Sequence, residues 1–428
     1  MVPHIMRYFK NKQEFGWVMY DWANSAFATT IMAGFFPVFF KQYWSYGAEV
    51  TKSTAILGAA NSAYGLSIAF IAPILGAIAD QGSNKKKFLI FFTYLGVLAT
   101  AALFMVQKGN WLLAAITYVI GAIGFSGSMI FYDSFLPLVS SEKRLDFVSA
   151  FGYAMGYLGG GILFTLNVLM TLKPHLFGLA DASQAVRLSF VSVAVWWAIF
   201  SIPLMLFVKE PKARSERSIK DGLKQLLGTF QKVRHLKTVF LFLIAYWFYI
   251  DGVFTIIKMA VDYGLSIGFQ SNDLIVALLI TQFVAFPSAI VFGRAGQKFG
   301  AKRSIYFAIA MYMLIVFWAI NMTQKYEFFI LAIGVGLVQG GIQALSRSFY
   351  ARIIPHDQSA EFFGFFNLIG KASVIMGPML VGGIGLLTNN SRAGIASILI
   401  LFVIGWILLH FVDEEKGKKE VKHLKLSG

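Results

Sequence analysis

Apolar runs of twenty or more residues recur along the whole chain, and no other feature constrains its fold as strongly. A helix of that length crosses about 30 Å of hydrocarbon. Hydrophobic residues make up 57% of the 428 and charged residues only 14%, against about 25% charged in soluble domains. The chain reads as an all-α membrane protein.

Apolar runs between charged or turn-rich breaks predict twelve spanning helices: 15–44, 54–79, 87–106, 111–138, 147–171, 187–208, 238–264, 273–293, 303–322, 327–350, 360–387 and 393–412. An even number puts both termini on one side. With that side assigned to the cytoplasm, 27 of the 37 lysines and arginines lie on it and seven lie opposite, while Lys258, Arg347 and Lys371 fall inside helices. The split follows the positive-inside rule, so the net charge of +16 reflects topology and attraction to anionic lipid rather than nucleic acid. Met1–Glu14 is short and polar, and no cleavable signal peptide is expected. The absence of cysteine excludes disulfides, thiolate metal sites and a cysteine nucleophile. The six histidines lack ligand spacing, and there is no phosphate loop or catalytic triad. The expectation is a protein that is not an enzyme and holds no metal or cofactor.

Residues 1–208 form one six-helix bundle, 209–237 a polar linker, 238–412 a second bundle, and 413–428 a charged tail expected to be disordered. In the linker, Ile219, Leu223, Leu226, Leu227, Phe230 and Val233 recur at helical spacing among basic residues. They predict an amphipathic helix, lying either on the membrane surface or under the protein itself. The bundles repeat. A shift of 218 residues superposes Ser128 on Ser346, Phe131 on Phe349, Tyr132 on Tyr350, Pro137 on Pro355, Gly152 on Gly370 and Gly159 on Gly377. A shift of 230 places Trp17 on Trp247 and Asp21 on Asp251. Parallel six-helix repeats match the major facilitator architecture, in which the substrate site lies between the halves near the midplane.

The costliest residue is Asp21, about 9 Å inside the first helix. Asn24, Ser25, Ala28 and Thr29 continue its face, a small or polar stripe in a Phe-rich segment. Asp133 falls on helix 4, Asp251 and Lys258 on helix 7, Arg347 on helix 10 and Lys371 on helix 11. Gln339, Gln343 and Arg347 step by four into a polar stripe, as do Asn367 and Lys371. These charges have two readings. They tie helices together, with Asp133 and Arg347 as a gate pair, or they bind solute and protons. In the second reading Asp21 and Asp251 face each other across the pseudo-two-fold axis. A carboxylate there carries the coupling proton or meets an α-amino group, and Arg347 or Lys371 meets a carboxylate. Gly152, Gly156 and Gly160 make a small-residue face for close helix packing.

Gly76-Ala77-Ile78-Ala79-Asp80-Gln81-Gly82-Ser83-Asn84-Lys85-Lys86-Lys87 resembles the major facilitator loop signature. The resemblance implies a lock on the cytoplasmic gate: Gly76 allows close helix approach, Asp80 meets a neighbouring helix N-terminus, and Lys85 and its neighbours anchor at the headgroups. A weaker copy begins at Gly293, with Gln297 in place of the acid, so only the N-half lock is expected to be ionic. The segments Tyr20–Ala26, Phe131–Pro137, Gly156–Gly161, Asp251–Val253 and Gln339–Ser348 resemble the vacuole-effluxer-like family, which includes the fungal autophagy-related vacuolar amino-acid permease. The chain lacks the long loops of fungal members and looks like a bacterial version. The resemblance implies amino-acid efflux and a monomer; with the charge placement and the intramembrane carboxylates, the expectation is an inner-membrane permease, both termini cytoplasmic, working by alternating access with protons and a small-molecule substrate as partners. Two alternatives stay open: a proton antiporter of amphipathic drugs or lipids, and a non-transporting membrane receptor, against which six intramembrane charges argue.

Overall fold

The computed structural model describes residues 9–47, 50–82, 84–210, 236–266, 271–372 and 376–426, and every regular element among them is a helix. The N-terminal half comprises α1 (Lys12–Trp44), α2 (Val50–Gly82), α3 (Lys85–Ala102), α4 (Trp111–Val139), α5 (Leu145–Leu172) and α6 (Ala182–Phe207). The C-terminal half comprises α7 (Lys237–Ser266), α8 (Ser271–Phe299), α9 (Ala301–Asn321), α10 (Lys325–Arg352), α11 and α12 (Arg392–His410). The α11 helix is described in two pieces, Ser359–Ala372 and Met376–Thr388. Most of the predicted linker helix, residues 211–235, lies outside the described residues.

Short polar side chains start several helices. Asn11, Asn110 and Asp181 accept the amides of Glu14, Leu113 and Gln184 at the heads of α1, α4 and α6, using donors that otherwise lack an intrahelical partner. The α1 helix is not uniform. Phe27–Phe35 and Phe40–Trp44 are π-helical around a short α-helical piece containing Pro37, whose missing N–H breaks the ordinary ladder.

The glycine face of α5 performs the packing expected of it. A Cβ on Gly152 would stand 3.0 Å from the Trp17 ring, and one on Gly160 would stand 2.8 Å from the Thr29 hydroxyl, so α1 lies directly against α5. The halves meet where α2 packs on α11 and α5 on α8, two contacts that exchange under the internal repeat. Gly76 abuts the Ala360 carbonyl of α11, and a Cβ on Gly293 would reach the Ala150 side chain of α5 at 2.7 Å. Both approaches lie toward the end of the molecule that carries Phe9, Glu210 and Leu236, here termed the basic face.

The charged tail is helical, contrary to the disorder expected from its composition: α13 spans Glu414–Leu426. Asp413 accepts the Glu415 and Lys416 amides at its start, and Gly417 sits against Ile353 and Thr238. Lys418 pairs with Glu414 and with Glu142 of the other half, at 3.0 and 2.8 Å. These carboxylates raise the Lys418 ammonium above its ordinary range, although burial alone would lower it. Composition recorded the charges but not the surface that receives them.

Candidate functional site

Arg347 of α10 is 1% exposed, and among the described residues its hydrogen-bond partners belong to the opposite half. Nη1 donates to Asp133 of α4 at 3.0 Å, and Nη2 donates to Asp21 of α1 at 3.5 Å. Nε and Nη2 also donate to the Ser149 hydroxyl and carbonyl of α5, each at 2.9 Å. The guanidinium carbon lies 4.8 Å from the Trp17 ring centroid and 4.5 Å from that of Tyr153, which adds cation–π attraction in a site without bulk water. Tyr132 donates its hydroxyl to Asp21 at 2.7 Å and stacks on Trp17 at 4.4 Å, while Asn367 of α11 donates to Asp133 at 3.2 Å. With all three groups ionised the cluster carries one net negative charge. One proton neutralises it.

Asp133 and Arg347 therefore form the ion pair of the first reading, and Asp21 shares the same cation. Asp251 has a different setting. It is fully buried and accepts the Gly377 amide at 3.1 Å through each oxygen, together with the Thr255 hydroxyl at 3.1 Å. Asp21 and Asp251 correspond in the repeat, but the repeat-equivalent of Arg347 is Met129, so the Asp21–Arg347 contact is not reproduced between those two positions. Asn24 donates to the Met129 sulfur at 3.1 Å. Gln343 donates to the Gln339 carbonyl at 3.2 Å and approaches the Tyr157 hydroxyl at 3.5 Å. The side chains of Lys258 and Lys371 lie outside the described residues.

Asp80 accepts the Ala360 and Glu361 amides at the head of α11, at 3.2 and 2.7 Å, as its motif implies. Lys85 departs from expectation. Rather than reaching the headgroups it is buried, pairing with Asp80 at 2.5 Å and donating to Ser359 at 2.9 Å. Glu210 holds the start of α3 in place by accepting the Lys85 and Lys86 amides at 2.8 and 3.2 Å. Burial pushes the Glu210 carboxyl above its ordinary range, against the pull of those amides. Gln297 makes the neutral counterpart, donating to the Lys143 carbonyl at 3.0 Å.

The N-half motif is nevertheless not the sole ionic tie. Asp146 of α5 pairs with Arg352 of α10 at 2.6 Å and accepts the Ser348 hydroxyl at 2.6 Å. Sequence reasoning missed that pair, as it missed Ser149. It also missed Gln282 of α8, which donates to Thr29 of α1 at 2.9 Å beyond the cluster, toward the opposite face. The available signal was positional: Asp146 opens α5 and Arg352 closes α10.

The sequence profile of the family described as "Vacuole effluxer Atg22 like" matches residues 43–422. The chain belongs to this family. An uncharacterised MFS-type transporter of Bacillus subtilis, YxiO, is 41% identical over 94% of the chain and 95% of that protein. Autophagy-related protein 22 of Vanderwaltozyma polyspora is 22% identical over 96% of the chain and 92% of that protein. The proton:xylose symporter XylE superposes with a TM-score of 0.71 at 12% identity, covering 96% of this chain and 97% of that one. The MFS transporter FucP in its outward conformation gives 0.71 at 14%, covering 95% and 99%. At such identities the likeness carries the fold alone. This Atg22-like chain is an integral membrane transporter with the major facilitator fold.

Proposed function

We propose that this transporter exports small organic solutes, amino acids foremost, by alternating access coupled to protons, with its basic face in the cytoplasm of a bacterial cell. The carrying observation is the buried cluster in which one arginine of the C-terminal half is held by two carboxylates of the N-terminal half. Such a cluster has two ways to relieve its buried excess charge: it takes up a proton, or it separates and lets water solvate both carboxylates. Either event is tied to opening of the seam between the halves, which is the linkage that proton-coupled transport requires. Asp80, Lys85, Gly76 and Gly293 close the same face and act as its gate. Asp251 and the stripe of Gln339 and Gln343 line the route from the gate toward the opposite face. Positive-inside asymmetry supports the orientation.

The test is a panel of solutes in proteoliposomes under an imposed pH gradient. Amino-acid counterflow that responds to the gradient, and loses that response in Asp21→Asn or Asp133→Asn, is the expected result. Flux whose pH dependence survives both substitutions would place the coupling elsewhere. Movement of dyes or lipids in the absence of amino-acid flux would select the amphipathic-solute alternative.

A further inference from the structure

Each half of the fold is complete without the tail helix α13, yet α13 makes contacts on both. Its hold on the C-terminal half is broad. Lys302 of α9 donates to the His410 and Val412 carbonyls, at 3.0 and 2.6 Å, and fixes the corner between α12 and α13. Gly417 is buried where a Cβ would stand 2.9 Å from Ile353, just past α10, and 3.0 Å from Thr238, in the first turn of α7. Glu420 accepts the Thr238 amide at 3.1 Å, one of the donors that a helix start leaves without an intrahelical partner.

The hold on the N-terminal half is narrow and electrostatic. Lys418 reaches Glu142, in the turn between α4 and α5, at 2.8 Å, while Glu414 and Glu415 of its own helix brace the ammonium at 3.0 and 3.1 Å. Glu414 also lies 3.9 Å from Nε of Arg352, whose Nη2 pairs with Asp146 of α5 at 2.6 Å. Exposure separates the Lys418–Glu142 pair from the other cross-half ion pairs described at this face. The Glu142 side chain is 61% exposed and that of Lys418 25%, against 1% for Arg347 and 2% for Asp80. Salt screens exposed charges over about 10 Å at 0.1 M and about 3 Å at 1 M, and reaches buried pairs much less. Lys418–Glu142 is therefore the tie that the surrounding solution can loosen.

We propose that α13 is a regulatory strap: docked on the C-terminal half, it fastens the rim of the N-terminal half through Lys418 and Glu142, holds the basic face shut at low ionic strength, and lets go as ionic strength rises. Opening of that face carries Glu142 away from α13, while the contacts at Gly417 and Glu420 stay within the C-terminal half. An exposed ion pair contributes little, so the strap adjusts the balance of closed and open molecules without fixing it. Its loss should raise the open fraction about two- to fivefold. The inference rests on the transporter reading only in taking the basic face to open.

The absence of native cysteine supplies the test. Ala150→Cys places a single thiol in the seam between α5 and Gly293 of α8, where the parent side chain is fully buried. Ala344→Cys, equally buried on α10, is a second reporter. Iodoacetamide is uncharged, so its rate of reaction follows the open fraction and not an attraction of the reagent to the basic surface. At low salt, Glu142→Gln and Lys418→Met should each speed modification about two- to fivefold, and the two together no more than either alone. Raising KCl from about 20 mM to about 500 mM should give the same gain with the strap intact and none in either variant. Additive effects of the two substitutions, or a salt response that survives them, would overturn the strap. So would modification that proceeds at one rate whatever the substitution or salt. Thiols that never react in any form would count against opening of this face, and so against the transporter reading as well.

Discussion

Replacing Arg347 with methionine would test what holds the basic face shut. The substitution removes donors to Asp133 at 3.0 Å, to Asp21 at 3.5 Å and to Ser149 at 2.9 Å. It leaves two carboxylates, each 4% exposed, without the cation between them. Breaking a buried ion pair by deleting one partner costs about 3–5 kcal/mol. That cost falls on the state closed at the basic face, because opening hydrates both carboxylates. The ratio of open to closed molecules should therefore rise roughly 150- to 4000-fold. Nitroxides at Lys143→Cys and Arg294→Cys, both exposed and on opposite halves, would report the change by double electron–electron resonance. The unmodified background should give one short distance, and Arg347→Met a dominant longer one. The triple variant Asp21→Asn, Asp133→Asn, Arg347→Met removes the stranded charges with the cation and should restore most of the closed population. A single variant that keeps the short distance, or a triple variant that opens as widely as the single, would refute the reasoning.

Asp80→Asn removes the Lys85 ion pair and the charge at the head of α11, so the same labels should show a shift toward opening of about 1.5–3 kcal/mol; unchanged distances would exclude a gate role. Gly76→Leu drives a side chain into the α11 backbone, and purified protein should lose about 1–3 kcal/mol of stability, read as a lower thermal midpoint. Gln282→Leu removes the bond to Thr29, worth about 1 kcal/mol, and should lengthen distances only between labels on the opposite face. The Lys416 amide holds the Asp413 carboxyl below its ordinary range, so the cap it gives α13 is fully present above the unfolded value and is lost as pH falls through the lowered one. Amide exchange at Gly417 should quicken across that window, and Asp413→Ala should abolish the dependence.

What the sequence made legible was whatever carries a cost in hydrocarbon. Asp21, Asp133 and Arg347 each stand alone in an apolar run, and that expense marked them without any knowledge of their neighbours. Their geometry was less accessible. Ser149 bears no such expense, since a helical serine can satisfy itself on a nearby carbonyl, and only its approach to α10 turns it into a ligand of Arg347. Asp146 and Arg352 sit at helix ends, where a charge is ordinarily solvated; burial of both follows from the docking of α5 on α10, roughly 200 residues apart in the chain. Lys85 was read as a headgroup anchor for the same reason. The repeat paired Asp251 with Asp21 in sequence but carried no information on partners, because the halves diverge at Met129 and Arg347.

The two faces of the seam differ in kind. The basic face is joined by charge: Asp80 with Lys85 and the α11 amides, Asp146 with Arg352, and Arg347 with two carboxylates. Toward the other face, Gln282 meets Thr29 through a neutral hydrogen bond beside the π-helical part of α1. Neutral hydrogen bonds contribute about 1 kcal/mol net and those to charged groups about 1.5–3, and the basic face carries several of the latter. In the absence of solute, the basic face should therefore be the harder one to open. A cycle needs an event that weakens charge at one end while holding the other shut. Protonation of the cluster lowers the attraction around Arg347, and solute bound between the halves would have to keep the opposite face shut while it does so. If both are required, flux should depend on proton and solute together, and neither alone should lengthen the distance between labels at positions 143 and 294.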